Sequence, residues 1–188
     1  MRIISGNFKG KKLLIPKDRS TRPLRDAVKE SIFNILQHNK FIKIKIQDSK
    51  ILDLFSGVGS FGLECISRGA KHIIFCENYS QTVKILKINI NEFDCKDKTL
   101  IITENIFRIN HLKNITKNKF EIIFLDPPYK EKKLNYLLNE IINLKILKKN
   151  GIIIIHRHKK EKDIFPEKLK IFKIKKYGIS KIIFGLIS

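Results

Sequence analysis

Four consecutive residues, Asp126-Pro127-Pro128-Tyr129, are of types that could bind and activate an amino group. The exocyclic amine of a nucleobase is a poor nucleophile, because its lone pair is delocalised into the ring. The carboxylate of Asp126 and the carbonyl of Pro127 could accept the two N–H groups and turn the lone pair towards a methyl donor. The prolines fix φ and add no competing N–H, and Tyr129 could stack on the base. The tetrapeptide predicts methyl transfer to an amine, with a rigid turn as the alternative interpretation.

A glycine-rich segment between residues 53 and 62 could bind a cofactor. It follows an apolar run and precedes a helical pattern, where Gly57 and Gly59 would let the backbone pass close to a ligand. Asp53 could accept a hydrogen bond from a ligand ammonium group, directly or through water, and would repel a pyrophosphate. We assign Phe55 to the same binding loop. By itself the glycine pattern also occurs in nicotinamide and flavin proteins.

Two further strand ends supply candidates for the same cofactor. Glu77 ends the second apolar run, where a carboxylate could accept both ribose hydroxyls. Asn105 follows the third run and could bind an adenine edge, with Ile106 and Phe107 flanking the ring. Capping of a helix N-terminus explains Asn105 almost as well. A solvated carboxylate is the alternative for Glu77.

The elements that position these residues follow from hydrophobic periodicity. Residues 2–5 and 12–15 predict a hairpin, and an amphipathic helix follows from Leu24 to about His38, with its apolar stripe at Leu24, Val28, Ile32, Ile35 and Leu36. Strand and helix patterns then alternate, which is typical of a mostly parallel sheet with helices on both faces. We predict a Rossmann-like α/β domain of seven strands over residues 41–188, preceded by an RNA-contacting extension, residues 1–40. The predicted strands are 50–55, 72–77, 99–103, 120–125, 151–157, 170–174 and 181–186, and the later helices are 60–68, 80–93, 106–114 and 133–147.

The chain is strongly basic, with 39 Lys and Arg against 18 Asp and Glu and a formal charge of +21. Such a charge attracts polyanions, of which nucleic acid is the obvious one. An AT-rich coding bias towards Lys, Ile and Asn is the alternative explanation. The residues that we predict to contact RNA are Lys9, Lys11 and Lys12 on the hairpin, and Arg22, Arg25 and Lys29 on the polar face of the first helix.

Other classes of protein are disfavoured. The apolar runs are shorter than the roughly 18 residues of a membrane span, and the N-terminus lacks the pattern of a secretory signal, so we expect a cytoplasmic protein. The three cysteines, Cys65, Cys76 and Cys95, are too widely spaced for a paired metal site and are expected to be reduced and mostly buried. We predict no metal, and we expect His156 and His158 to be solvated.

The order of the glycine loop, Glu77 and Asp-Pro-Pro-Tyr resembles the class I amino-methyltransferases over residues 50–157. The N-terminal motifs, among them Arg2-Ile-Ile-Ser-Gly6, Thr21-Arg-Pro23 and Glu30-Ser-Ile-Phe-Asn34, resemble the bacterial 16S rRNA guanine-N2 methyltransferases known as RsmD, so that the similarity covers almost the whole chain. The resemblance implies transfer of a methyl group from S-adenosylmethionine to the N2 amine of a guanine in 16S rRNA, on an assembled or assembling 30S particle.

Residue by residue, the resemblance implies that Asp126, Pro127 and Tyr129 form the target-amine site, and that Gly57, Gly59 and Glu77 bind the cofactor. We expect a monomer. Two positions depart from the family pattern: Leu24 replaces a more frequent Thr, and His156 replaces a common acidic residue, which we expect only to add positive charge.

Three alternatives remain. A DNA adenine-N6 methyltransferase shares the tetrapeptide chemistry but would need room for a target-recognition domain. A non-catalytic RNA-binding module on the same fold would not need Asp126 and Tyr129. A nicotinamide oxidoreductase would have no use for Asp-Pro-Pro-Tyr, and comparing the binding of S-adenosylhomocysteine with that of NAD separates this last case.

Overall fold

The computed structural model describes residues 1–16, 24–108 and 119–188. Within them a seven-stranded sheet has the order β3-β2-β1-β4-β5-β7-β6; the first five strands in this order are parallel, and β7 is antiparallel to both of its neighbours. The strands are β1 Lys50–Leu54, β2 His72–Cys76, β3 Thr99–Ile102, β4 Phe120–Leu125, β5 Leu147–His158, β6 Leu169–Tyr177 and β7 Ser180–Ile187. The helices are α1 Asp26–His38, α2 Ser60–Ser67, α3 Ser80–Glu92 and α4 Leu134–Asn143, with a 3-10 turn at Lys96–Lys98.

The parallel strands form because their apolar runs are covered on both faces, as a parallel sheet requires. In β4, Ile122 and Phe124 join a core cluster with α1, α2 and α3, while Ile123 and Leu125 join a second cluster with α4. This two-residue alternation confirms the predicted Rossmann-like α/β class. The predicted helix 106–114 lies largely outside the described residues.

The largest boundary errors of the sequence prediction fall between α4 and β5. The helix expected over residues 133–147 ends at Asn143, and β5 begins at Leu147 rather than at residue 151. Leu147 pairs with Phe120 across a register irregularity, and Lys145 and Asn150 have positive φ values of 51° and 63°. The strand signal is hidden because Lys148 and Lys149, in this first part of β5, are exposed.

The two arms of the predicted N-terminal hairpin do pair, although with little regular strand: Arg2 and Lys12 form a β-bridge, and the N–H of Ile3 donates to the carbonyl of Lys11 at 2.9 Å. Other backbone N–H groups of the segment donate to side chains on the helices: Ile4 to Oε2 of Glu64 at 2.7 Å, and Leu14 to Oδ1 of Asn89 at 2.9 Å. Glu64 is fully buried. The segment is therefore fixed by acceptors on α2 and α3, which a strand pattern does not reveal.

The prediction that Lys29 contacts RNA is wrong. Its side chain is fully buried, and Nζ donates to the carbonyl of Arg2 at 2.6 Å and lies 3.5 Å from Oε2 of Glu64. Burial lowers the pKa of Lys29, and the carboxylate of Glu64 opposes that shift. The buried face of α1 includes Phe33, so it is rotated from the predicted stripe and includes residue 29. The ammonium group of Lys29 compensates the buried negative charge of Glu64.

The three cysteines are free thiols and all are buried, as expected. Burial raises their pKa values, to about 11 for Cys95. Among the residues that the structure describes, no helix combines the length and the apolar character needed to cross a bilayer.

Candidate active site

The carboxyl ends of the parallel strands carry the residues of the candidate site. Hydrogen bonds join neighbouring strand ends directly: the N–H of Ser56 donates to the carbonyl of Cys76 at 3.0 Å, and the N–H of Asp126 donates to the carbonyl of Leu54 at 3.2 Å. The strand order reverses between β1 and β4, and such a switch point opens a crevice at the carboxyl edge of the sheet. The glycine loop and the tetrapeptide therefore leave adjacent strands at the same edge.

The glycine loop has a conformation that its residue types explain. Gly57 and Gly59 have φ values of 56° and 86°, in the left-handed region that favours glycine. A Cβ on Gly59 would lie 2.6 Å from the side chain of Leu86, whereas a Cβ on Gly57 would meet no atom within 4 Å. Phe55 has a φ of 60°, a strained value that is concentrated at functional sites. Gly59 thus serves packing, and Gly57 leaves space for a ligand.

Glu77 is bonded to the glycine loop. Its Oε2 accepts the N–H of Gly57 at 2.9 Å, and its Oε1 accepts the N–H of Tyr79 at the same distance. Each carboxylate oxygen has a second lone pair. The side chain is half-buried, so it can still accept hydroxyl groups of a ligand.

Asp53 lies beneath the loop and is 1% exposed. Its Oδ2 accepts the N–H of Gly62 at 3.0 Å, while its buried Oδ1 has no partner among the described residues. Burial raises the pKa of Asp53 well above its ordinary value, against the opposing effect of the Gly62 hydrogen bond, and the charges of Asp126 and Glu77 raise it further. A buried acceptor without a partner fits a cationic or N–H group of a bound ligand.

The side-chain oxygen of Asn105 is bonded to the backbone that follows it. Its Oδ1 accepts the N–H of Phe107 at 2.9 Å, so the oxygen stabilises a local turn. Ile106 is 7% exposed and belongs to the core cluster with α4. The rings of Phe107 and Phe55 lie 5.9 Å apart, which adds an aromatic pair to this edge of the sheet.

The tetrapeptide is held by both of its ends. Asp126 is half-buried, and its Oδ1 lies 2.8 Å from Nδ1 of His156. The hydroxyl of Tyr129 lies 3.0 Å from Oγ of Ser180, and its ring contacts the ring of His158 edge to face at 4.8 Å. Pro127 is buried and Pro128 is exposed.

The expectation that His156 is solvated is wrong, since its side chain is 3% exposed. The strand register explains its burial: Leu125, the last residue of β4, pairs with Ile155, so Asp126 and His156, which follow them, are neighbours. His156 therefore does more than add positive charge. It orients the Asp126 carboxylate.

Arg157 is a second functional residue that sequence reasoning missed. It is 1% exposed, and it donates from Nη1 to the carbonyl of Pro128 at 3.0 Å and from Nη2 to the carbonyl of Glu131 at 3.1 Å. Its Nε donates to Oδ1 of Asp163 at 2.9 Å. One guanidinium thus fixes the backbone that follows Asp126, a geometry that lysine cannot reproduce.

The residues predicted to contact RNA are dispersed. Lys9, Lys11, Lys12 and Arg25 are exposed, while Arg22 lies outside the described residues. The turn that contains Lys9 is bonded to Ser67 at the end of α2, and Nζ of Lys11 lies 5.5 Å from the ring of Phe93, just past the end of α3. Both helices begin at the site and run away from it, so this turn lies at the opposite edge of the sheet.

Within residues 1–16, 24–108 and 119–188, no group of three or more His, Cys, Asp or Glu side chains has the arrangement of a metal site.

The family described as Conserved hypothetical protein 95 matches residues 1–185. The chain belongs to this family. The match includes the N-terminal motifs as well as the sheet, and it confirms the resemblance that those motifs predicted.

Two curated relatives are similar over nearly their whole length. A putative rRNA methyltransferase of Bacillus subtilis is 36% identical over 167 residues, which are 89% of this chain and 86% of the relative. The ribosomal RNA small subunit methyltransferase D of Buchnera aphidicola is 36% identical over 174 residues, which are 92% and 86%. Among solved structures, a putative methylase of Haemophilus influenzae superposes with a TM-score of 0.74 at 29% identity, covering 98% of this chain and 96% of that one. The class I methyltransferase fold is confirmed.

Proposed function

We propose that this chain transfers a methyl group from S-adenosylmethionine to the N2 amine of a guanine in 16S rRNA. One observation supports the proposal above all: the glycine loop and Asp126 leave adjacent strands, and the hydrogen bond from Asp126 to Leu54 holds the two loops together at 3.2 Å. A donor held by one loop and an amine held by the other would share a crevice. Alignment of two reactants in this way supplies up to about 7–11 kcal/mol of barrier reduction.

The cofactor fits the residues of the first loop. Gly57 leaves room for close approach, Glu77 can accept the ribose hydroxyls, and the buried Oδ1 of Asp53 can accept an N–H from the amino acid part, directly or through water. When bound, S-adenosylmethionine supplies a methyl group on a sulfonium, which is a good leaving group. Its adenine would lie near Phe55 and Phe107.

The tetrapeptide prepares the amine. Asp126 and the carbonyl of Pro127 accept its two N–H groups, which turns the nitrogen lone pair towards the methyl carbon. Transfer from the sulfonium would leave a neutral thioether and a cationic nitrogen, and Asp126 would be the adjacent base for the proton that this nitrogen releases. His156 fixes the carboxylate through Oδ1 at 2.8 Å. Tyr129 holds the base by stacking.

The names of the relatives support ribosomal RNA as the substrate, since one is called a putative rRNA methyltransferase and the other a ribosomal RNA small subunit methyltransferase. The formal charge of +21 suits a polyanion. The tetrapeptide chemistry suits any exocyclic base amine, and the choice of guanine N2 rests on the family resemblance. Arg25, which is exposed just before α1, remains a proposed RNA contact.

The test is transfer of labelled methyl groups to three substrates: 30S particles lacking this family's methylation, protein-free 16S rRNA and duplex DNA. We expect N2-methylguanosine after digestion of the RNA, and none with Asp126→Asn. N6-methyladenine in DNA would replace the proposal with its nearest rival. A protein that binds S-adenosylhomocysteine but labels none of the substrates would be a binding module.

A further inference from the structure

We propose that RNA next to the target base is bound by lysines on the β5–β6 loop and at the end of β6, a surface separate from the N-terminal turn that contains Lys9 and Lys11. The inference rests on the proposed function, because it names where that substrate binds. We call this surface the lysine rim. Its members are Lys159, Lys160, Lys162, Lys175 and Lys176, all of them exposed.

The strand pairing brings the rim to the site. His158, at the end of β5, pairs with Ser180 at the start of β7, and Ser180 pairs with Tyr177 at the end of β6. The turn between β6 and β7 therefore lies at the same edge as Asp126. Two contacts fix it there: the N–H of Lys159 donates to the carbonyl of Ile179 at 2.8 Å, and the hydroxyls of Tyr129 and Ser180 are 3.0 Å apart.

The rim is not neutralised by the acids beside it. Asp163 is paired with Arg157 at 2.8 Å and with Lys181 at 3.6 Å, and Glu161 lies 3.7 Å from Lys132 and 3.8 Å from Arg157. None of these cations belongs to the rim. Glu161 and Asp163 are thus occupied by the network that also fixes the tetrapeptide, and the five ammonium groups face solvent around it. Glu167, the third acid of the loop, lies next to Leu169, which pairs with Ile187 at the other edge of the sheet.

The rim also carries an apolar contact at its centre. Ile179, at the tip of the turn, is 50% exposed and follows Gly178, whose φ of 53° permits the tight reversal. Lysines around an exposed apolar tip suit single-stranded RNA, in which phosphates take the charges while unstacked bases or sugars cover apolar surface.

The N-terminal turn lies too far away for this task. Lys11 is above Phe93, past the end of α3, and the 13 residues of that helix span about 20 Å at 1.5 Å per residue. Phosphates bound there are remote from the base that Asp126 would hold. The two surfaces therefore make different predictions for charge removal.

The experiment compares matched double substitutions in methyl transfer to rRNA. The rim variants are Lys175→Gln with Lys176→Gln, and Lys159→Gln with Lys160→Gln. Lys9→Gln with Lys11→Gln tests the N-terminal turn, and Lys96→Gln with Lys98→Gln, two exposed lysines of the 3-10 turn at the opposite edge, is the control. The measurements are KM and kcat as functions of salt, with S-adenosylhomocysteine affinity and Tm to verify the cofactor site and the fold.

We expect each rim variant to raise KM for RNA about tenfold or more and to reduce the salt slope by about 1.4–1.8, since each phosphate contact contributes about 0.7–0.9. Cofactor affinity should stay unchanged, and Lys→Arg pairs at the same positions should restore binding. The other two variants should change KM less than about twofold.

Equal losses from the rim and N-terminal variants, or no loss from the rim, would overturn the inference while the proposed function stands. If the wild-type protein labels no RNA, the proposed function fails. In that case, filter binding of the same variants to 16S rRNA tests the rim independently of catalysis. The inference is supported if the rim variants weaken binding and the other variants do not, and it is rejected otherwise.

Discussion

Nδ1 of His156 lies 2.8 Å from Oδ1 of Asp126, and the two residues directly follow Leu125 and Ile155, which pair across β4 and β5. The histidine is buried, so the contact is shielded from water. A hydrogen bond to a charged group contributes about 1.5–3 kcal/mol. The carboxylate is therefore held in one orientation before any substrate arrives.

His156→Ala should lower kcat by about tenfold to a hundredfold, which is the loss of one such hydrogen bond in the transition state. KM for RNA and affinity for S-adenosylhomocysteine should change little, because His156 acts through Asp126. His156→Asn, whose amide nitrogen can take the place of Nδ1, should retain most of the activity. Steady-state kinetics of both variants test this prediction. An equal loss of kcat in the two variants would indicate that His156 has only a packing role.

Arg157→Met should destabilise the fold by about 3–5 kcal/mol, because it leaves Asp163 buried without its main partner. Urea denaturation measures this change. The double variant Arg157→Met with Asp163→Asn removes both charges and should recover part of the stability. Its KM for RNA should still be higher than that of the wild type, as in the single variant, because the carbonyls of Pro128 and Glu131 have lost their donor. A normal KM in the stable double variant would contradict the positioning role.

Asp53→Asn should change how stability depends on pH. The pKa of Asp53 is raised in the folded protein above its ordinary value of 3.8, so the folded state retains the proton longer than the unfolded state does. Wild-type stability is therefore lost as pH rises from 3.8 through the folded pKa. Relative to the variant it should fall by up to about 1.4 kcal/mol per pH unit. Unfolding free energies at about pH 5 and about pH 7 test this, and a difference that is constant with pH would exclude it.

Gly57→Ala should weaken cofactor binding with a modest change in stability. Its Cβ would meet no protein atom, and the φ of 56° adds about 1–2 kcal/mol of strain. Gly59→Ala is the matched comparison, because its Cβ would lie 2.6 Å from Leu86 and should lower Tm more. Calorimetric titration with S-adenosylhomocysteine and thermal unfolding separate the two effects. Unchanged affinity in Gly57→Ala would place the ligand elsewhere.

The sheet could be predicted from sequence because its strands are continuous apolar runs buried on both faces. Ile152 to Ile155 are such a run, whereas Leu147 to Asn150 at the start of the same strand resemble a helix end, since Lys148 to Asn150 are exposed and only the pairing of Leu147 with Phe120 makes them strand. The glycine loop and the tetrapeptide could be predicted because each function requires consecutive residues of particular types.

The residues that were missed act across long separations in the chain. Asp126 and His156 are 30 residues apart, and Lys29 and Glu64 are 35 apart. A buried charge is recognised only when its partner is known, and the partner is set by packing. For this reason sequence periodicity placed Lys29 on the wrong helix face, and His156 was expected to be solvated.

The anchoring of the N-terminal segment on Glu64 and Ser67 constrains the order of events during synthesis. Ile4, Ser5 and Phe8 bond residues that lie 59 or 60 positions further along the chain, and Ser31 contacts Tyr177 across 146 positions. As the nascent chain emerges, residues 1–16 cannot make these contacts until α2 has been translated, and the contact between α1 and Tyr177 can form only once β6 is complete. Such distant contacts favour slow folding and make a chaperone valuable in the interval.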